Sequence, residues 1–458
     1  MTNVYLIRHA EAEGNIFRRA HGQYNGLIIG KGYKQINRLS ERFRDINIDA
    51  VYSSDLTRTC VTASAIYKPK NLPLNKDRRL REVNMGEWED ISWGDLEHSA
   101  PQMMRYFESE PDKWQARSSE NCQQVTARMI ECISEIAAKH DGQSIALFSH
   151  GFAIRSFMQG ILHIDAADLT KIPLFDNTAV TLLKYNNGEF TIEYQGDNSH
   201  IPVEESTLAS QTWWREEKER IRENLRFLPY LGARDNEMYN RCLQECGIKG
   251  VESSYGPAGS EDIGGNVNKK LNESVDDSSG KVKTLKTAAF LGEQQVGLLW
   301  VSIVNDSKND AVSSYDVVSN SEEDSRDNAK SNENAVSNGD AKAKEDVKGN
   351  NDAKGRIDCI YVKPEFRGKH YAIQMVGEAV SNIRKQRIAK LSVVVNSGGD
   401  AERFFSAYGF RKSDEPDTGD FENSGKPERY GASVNSITLT KFDGLCVMEN
   451  DYNNWDIL

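Results

Sequence analysis

Cysteine is scarce in this chain: Cys60, Cys122, Cys132, Cys242, Cys246, Cys359 and Cys446 are all there are in 458 residues. The number is odd, and no pair has CxxC or zinc-site spacing. That pattern argues against a disulfide scaffold or a structural metal and for a reducing compartment. Long apolar runs are missing too. Nothing approaches the ~20 apolar residues of a membrane span, and the amino terminus has no charged leader followed by a long apolar stretch. The expectation is a cytoplasmic protein with no membrane partner and no metal. Positive charge is in deficit, with 57 Lys and Arg against 69 Asp and Glu and a formal net charge of -12 at pH 7. No broad field draws nucleic acid, so an anionic substrate must be held in a pocket by individually placed Arg, Lys, His and backbone N–H groups. What the chain does have is length. It exceeds what one core usually organises, and its 38% hydrophobic content can furnish two domains.

The apolar run Val4-Tyr5-Leu6-Ile7 stops at Arg8-His9, the pattern of a buried strand that delivers two polar groups to its carboxyl end. A polar loop follows through Asn15, Arg18, His21 and Gly22, then a helix near Tyr33 to Phe43. Asp49 to Asp55 predicts a second strand whose polar end caps a helix, with Ser54 or Asp55 as N-cap. In that helix Arg58 lies about 200° round from Leu56, off the apolar stripe and at the positive end of the helix dipole, where a cation is out of place unless an anion binds beside it. Ser144 to Phe148 predicts a third strand, ending at Ser149-His150-Gly151 and leading into an apolar helix from Phe152 to Leu162. His is a poor N-cap, so its position at that switch asks for another reason. Glu82 stands in Arg81-Glu82-Val83-Asn84-Met85-Gly86-Glu87-Trp88-Glu89, followed by an irregular region from Trp93 to Trp114. Phe175 to Tyr194 predicts a hairpin around Asn187-Gly188 that closes the sheet.

Taken one at a time these residues have plain readings: a hydrogen-bonded histidine, a solvated arginine, a surface glutamate paired with Arg79 or Arg81. Taken together they are what an open α/β sheet gathers along one edge. Two imidazoles, two guanidiniums and a carboxylate suit a phosphate. Arginine forks match its oxygens, and an imidazole flanked by cations is biased toward the neutral, nucleophilic form.

The ordered motifs Leu6-Ile7-Arg8-His9-Ala10-Glu11, Ser53-Ser54-Asp55-Leu56-Thr57-Arg58-Thr59, Glu82 with Gly86-Glu87-Trp88-Glu89, and Ser149-His150-Gly151 resemble those of the histidine phosphatase superfamily, the phosphoglycerate-mutase-like group. The resemblance implies ping-pong phosphoryl transfer without a metal or other cofactor. His9 is then the nucleophile, Arg8, Arg58 and His150 clamp the phosphoryl group, and Asn15 with the His21-Gly22 turn completes the pocket. Glu82 is then the acid that protonates the leaving alkoxide and the base that activates water, on a small phosphorylated metabolite. Ala10 stands where that family usually has Gly, and Asn25 and Gly26 stand where it usually has Asp and Pro. The stretch from Asp90 to Glu120 is shorter than the insertion of true phosphoglycerate mutases, which favours hydrolysis, with a mutase as the alternative.

Leu208 to Arg226 predicts a charged connecting helix, which puts the connector at 206–222 between a first domain at 1–205 and a second at 223–440. Asn224 to Leu231 then predicts a strand, Asp235 to Cys246 a helix, and Thr287 to Leu291 with Val296 to Val304 a hairpin. Stretches at about 251–283 and 305–355, rich in Ser, Asn, Asp, Lys, Glu and Gly, offer little to bury and are expected to be disordered inserts. Ile357 to Val362 predicts a strand leading through Lys363-Pro364-Glu365-Phe366-Arg367-Gly368-Lys369-His370-Tyr371-Ala372 into a helix to about Arg387; Leu391 to Val395 predicts a strand and Ala401 to Phe410 a helix.

This order resembles the GNAT superfamily of N-acetyltransferases. The resemblance implies acetyl-CoA in the cleft beside Ile360, Tyr361 and Val362, its pyrophosphate on the turn of Arg367, Gly368, Lys369, His370, Tyr371 and Ala372, and an amine acceptor. His370 replaces a usual Gly, and Phe405 stands where many members carry a proton-donating Tyr. Tyr408 stands three residues further on and is not assigned that role. The alternative is a domain that binds acetyl-CoA as a regulatory module. The expected fold class is therefore α/β: a three-layer open-sheet histidine phosphatase domain, then a mixed α+β GNAT domain with disordered inserts.

Overall fold

A computed structural model of the chain describes residues 1–211, 224–245, 275–276, 282–305, 353–412 and 436–442. Its first sheet has six strands in the order β3-β2-β4-β1-β5-β6. These are β1 (Thr2–Arg8), β2 (Ala50–Ser53), β3 (Leu74–Lys76), β4 (Ser144–Ser149), β5 (Val180–Asn186) and β6 (Glu189–Asp197). The first four run parallel, and β5 and β6 add an antiparallel hairpin on one edge. Seven helices accompany them: α1 (Glu13–Phe17), α2 (Gly30–Arg42), α3 (Thr57–Tyr67), α4 (Trp93–Ser99), α5 (Pro101–Ser109), α6 (Cys122–Lys139) and α7 (Gly151–Ile161).

Alternation along the strands builds the three layers. Val4, Leu6, Ile145 and Leu147 pack with Met129, Ile133 and Phe157 of α6 and α7. Ile7, Val51, Ala146 and Phe148 pack with Ile36, Leu39, Ala63 and Ile66 of α2 and α3. Parallel register aligns the strand ends, with Arg8 beside Ser149 and Ser53 beside Phe148. The chain leaves β1 toward β2 and leaves β4 toward β5, which lies on the other side of β1. Neighbouring strands whose connections diverge open a crevice at their carboxyl ends, and here that crevice lies between β1 and β4.

Several local expectations are corrected. The helix carrying Arg58 begins at Thr57 with Leu56 as N-cap and no side-chain cap. The Trp93 to Trp114 region contains two helices, α4 and α5, and Trp88, Phe107, Trp114 and Phe152 pack ring against ring there. Within the proposed connector, 206–211 form turns, and 212–222 lie outside the described residues.

The second sheet runs β13-β14-β12-β11-β10-β9-β7, with β8 paired to β9. Its strands are β7 (Arg226–Pro229), β8 (Val275–Asp276), β9 (Val282–Leu291), β10 (Gln294–Asn305), β11 (Ala353–Val362), β12 (Lys390–Asn396), β13 (Arg411–Lys412) and β14 (Ser436–Phe442); the helices are α8 (Gly232–Glu245), α9 (Tyr371–Lys385) and α10 (Asp400–Ala407). The proposed inserts mostly lie outside the described residues, but their margins are strand: β8 and the start of β9 fall within 251–283, and the end of β10 and start of β11 within 305–355. Phe17 of α1 joins the core beneath α9, beside Val376, Ala379 and Val380. Helix α1 of the first domain therefore packs into the core of the second.

Candidate active site

His9 leaves the end of β1 with its amide donating to the Ser149 carbonyl at 3.0 Å. Its Nδ1 lies 2.7 Å from the Ala10 carbonyl oxygen. A carbonyl can only accept, so Nδ1 carries the proton and Nε2 is left with a lone pair. The ring is 4% exposed. Burial, then the charges of Arg58 and Arg8, hold it well below the ordinary histidine range, so it is neutral at neutral pH. Ala10, in the place of the usual Gly, is absent from the residues with positive φ, and its amide donates to Thr62 Oγ1 at 2.9 Å.

Arg58 is fully buried, which removes the solvated reading. Its Nε donates to His150 Nδ1 at 3.1 Å, its Nη2 to the Gly22 carbonyl at 2.6 Å and its Nη1 to the Tyr24 carbonyl at 3.0 Å, with His21 Nε2 also 3.0 Å from Nη1. Burial pulls Arg58 down to about 10, which leaves it charged at neutral pH. His150, the N-cap of α7, places its ring 5.2 Å from that of His9, and its Nε2 faces Ser54 Oγ at 2.9 Å. His21 lies 6.2 Å from His9 on another side, a closeness Gly14 permits, since a Cβ there would sit 2.2 Å from His21 Nδ1. Arg8 donates from Nη1 to the Phe175 carbonyl at 2.6 Å, while among the described residues its buried Nε finds no acceptor. A buried, unsatisfied guanidinium N–H beside a neutral imidazole is a place for an anion.

Glu82 is buried, and its partners are neither Arg79 nor Arg81, which pair with Asp77 and Asp55. Instead it accepts from the Phe152 and Ala153 amides in the first turn of α7 at 3.1 and 2.9 Å, and from its neighbour Val83 at 2.9 Å. The two α7 amides follow directly on His150 and Gly151, which places the carboxylate at the same strand end as His150. Asn15 turns its amide oxygen to the Ala12 amide at 3.0 Å and closes the start of α1. So Arg8, His9, His21, Gly22, Arg58, Glu82 and His150 are brought together, with Asn15 at the rim.

Sequence reasoning missed Asn177, whose Nδ2 donates to the His9 carbonyl at 2.7 Å, along with Thr62, Ser54 and Tyr24. The polar triplet Asp176-Asn177-Thr178, with Thr178 at φ 59°, is a turn signal that the hairpin reading absorbed into a strand.

This geometry and the ordered motifs meet in one result. Residues 4–198 match the family model of the histidine phosphatase superfamily (branch 1). The chain is 29% identical over 165 residues to phosphoserine phosphatase 1 of Hydrogenobacter thermophilus, covering 36% of this chain and 78% of that protein. It is 28% identical over 206 residues to a probable phosphoglycerate mutase of Proteus mirabilis, covering 44% of this chain and 95% of that one. Among solved structures it is similar to Bacillus stearothermophilus YhfR, at 27% identity and a TM-score of 0.43, over 44% of this chain and 100% of that chain. Residues 332–421 match the acetyltransferase (GNAT) domain model. The two matches together support a fusion of a histidine phosphatase domain with a GNAT domain.

In the second sheet the parallel pairing of β11 with β12 covers Gly355 to Ile357 against Leu391 to Val393 and then stops, although both strands continue. The strands part beside Ile360, Tyr361 and Val362. The following turn has Gly368 at φ 75° and His370 at φ 63°, and among the described residues the amides of Gly368, Lys369 and His370 donate to no backbone carbonyl. The gap between the strands and the set of amides ahead of Tyr371 and Ala372 at the start of α9 are chemically suited to a thin apolar chain and to an anion. Arg367 is turned elsewhere, donating to the Val362 carbonyl and to Glu245 at 2.9 and 2.7 Å; Tyr361 donates to the same carboxylate at 2.8 Å. Phe405 is buried against Phe404 and Phe410. Among the described residues no helix is long and apolar enough to cross a membrane.

Proposed function

We propose that the chain is bifunctional: the histidine phosphatase domain hydrolyses a small phosphomonoester through a phosphohistidine, and the GNAT domain uses acetyl-CoA to acetylate an amine. The observation that carries the first half is His9, its Nδ1 tied to its own chain and its Nε2 free among Arg8, Arg58 and His150. In the first step Nε2 forms a bond to phosphorus, the bond to the leaving alkoxide breaks, and Glu82 in its acid form gives that alkoxide a proton. In the second step Glu82 as carboxylate takes a proton from water, the water oxygen bonds to phosphorus, and orthophosphate leaves with His9 restored. The arginines neutralise the transferring group. The scarcity of cysteine supports a cytoplasmic setting for both reactions.

For the second half, acetyl-CoA when bound supplies an activated acetyl group. The chain would hold its pantetheine beside Ile360 to Val362 and its pyrophosphate on the Gly368 to Ala372 amides. Phe405 cannot donate a proton to the departing thiolate.

The deciding experiment is labelling. Incubation with a radiolabelled phosphoryl donor is expected to give an acid-labile, base-stable phosphoprotein, and His9→Ala to abolish it while the far-UV circular dichroism stays unchanged. Label that survives His9→Ala would sink the assignment. Incubation with 3-phosphoglycerate and 2,3-bisphosphoglycerate then separates phosphate release, which is expected, from isomerisation.

A further inference from the structure

Arg58 owes its aim to the short turn from His21 to Tyr24, which receives its Nη1 and Nη2 hydrogen bonds. Glu89 anchors that turn from within the phosphatase domain by accepting from the Gln23 and Tyr24 amides at 2.7 and 3.1 Å. The outer side of the turn is different. The Tyr24 ring lies 4.4 Å from the His21 ring, and its hydroxyl is buried with no hydrogen-bond partner among the described residues. Contacts on the ring itself must therefore fix it. On the ring, 4.8 Å from its centroid, lies the guanidinium of Arg384, which belongs to α9 of the GNAT domain.

Arg384 is 12% exposed and is held in place by two acids of the phosphatase domain, Asp90 at 2.9 Å and Glu13 at 3.3 Å. Asp90 directly follows Glu89, and Glu13 also accepts from the Leu27 amide at 3.1 Å. A guanidinium so clamped can press on an aromatic face with little loss of entropy. The same helix provides a comparison. One to two turns earlier, Glu378 pairs with Arg19 at 2.8 Å, and Arg19 also donates to Ser381 at 2.9 Å. Among the described residues that pair makes no hydrogen bond to the 21–24 turn; it meets Arg384 only indirectly, through Asp90, which pairs with both arginines.

We propose that Arg384 is a positioning residue for phosphoryl transfer: the GNAT domain completes the phosphatase pocket by packing Tyr24 against His21 and so aiming Arg58. This rests on the phosphatase reading of His9.

The test uses the full chain with p-nitrophenyl phosphate as substrate and orthophosphate as competitive inhibitor. Arg384→Gln and Tyr24→Leu are each expected to lower kcat/KM about tenfold and to weaken orthophosphate inhibition in parallel. The double variant is expected to be no worse than either single one, because both break the same link. Arg384→Lys, which keeps the charge on the ring and loses the fork, is expected to recover part of the loss, and Glu378→Gln to stay within about twofold of wild type. Losses that multiply in the double variant, unmoved orthophosphate inhibition, or a Glu378→Gln loss equal to that of Arg384→Gln would each overturn the proposal. If Arg384→Gln does not fold, Arg384→Lys takes its place in the cycle, with about a threefold loss expected and a wild-type value overturning it. A wild-type protein that hydrolyses no p-nitrophenyl phosphate is a separate result, which refutes the phosphatase reading and this inference with it.

Discussion

His9 and His150 are buried and His21 partly buried beside two guanidiniums, and all three are held well below the ordinary histidine range by desolvation first and by Arg58 next. The sign of the consequence follows from proton counting. Below about pH 6.5 the unfolded chain binds protons at these positions and the folded one does not, so stability is full above that pH and falls as pH drops toward the folded values. Each withheld proton contributes a slope of about 1.4 kcal/mol per pH unit, so three give up to about 4 kcal/mol per unit. Urea unfolding midpoints at pH 7.5, 6 and 5 measure this, and a flat profile would contradict it. For activity the same depression keeps His9 nucleophilic well below pH 6.5. Replacing Arg58 by Met removes a charge that lowers the His9 value, so the acid limb of the remaining activity is expected to move to higher pH. His9, Arg58 and His150 could be read from sequence because each interrupts a strand end or helix start where its type is out of place, whereas Glu82 stood out only through the resemblance of its motif. Asn177, Thr62 and Tyr24 could not, since they hold backbone atoms or rings of residues far away in sequence, a relation without local periodicity.

At the scale of elements, the strands and long helices follow hydrophobic period, and the misreadings occur where another demand competes. Ser54 looks like a cap, but its hydroxyl faces His150 and accepts from the Leu56 amide, so the helix starts later, at Thr57. The short helices α4 and α5 hide their period because aromatic packing fixes Trp88, Phe107 and Trp114 against each other. His370 shows a rule broken in the other direction. It caps α9 at φ 63° and ψ 14°, a left-handed conformation that costs an ordinary residue about 1–2 kcal/mol. His tolerates it better than most, and Gly adopts it freely while losing more entropy on folding. His370→Gly is therefore expected to leave stability level or raise it by up to about 1 kcal/mol, and His370→Val to lower it by about 1–2 kcal/mol. Thermal denaturation of the three proteins tests the order, and a valine variant as stable as wild type would show that the turn is not held left-handed.

At the scale of the whole molecule, the two domains meet through buried groups. Phe17 sits in the core beneath α9, and Asp90, held below its ordinary range because Arg19 and Arg384 overcome the cost of its burial, joins both arginines. Near this junction α4 lies against the residues leading into β7: the Leu225 carbonyl accepts from Ser92 Oγ at 3.1 Å, and the Phe227 amide donates to Asp95 at 2.9 Å. Gly94 makes that approach possible, since a Cβ there would lie 2.4 Å from the Leu225 carbonyl oxygen. The obstacle is backbone on both sides and cannot swing away like a side chain. Gly94→Ala must therefore part α4 from the strand and weaken both hydrogen bonds, at an expected cost of about 1–3 kcal/mol. Because the interface rather than either core is damaged, the loss should appear as uncoupling. Differential scanning calorimetry of the wild-type chain is expected to show one main transition, and that of Gly94→Ala two, with the added Ala doing nothing to the apolar packing of β1 and β4. A single unshifted transition in the variant would mean that the two domains unfold together for some reason other than this seam.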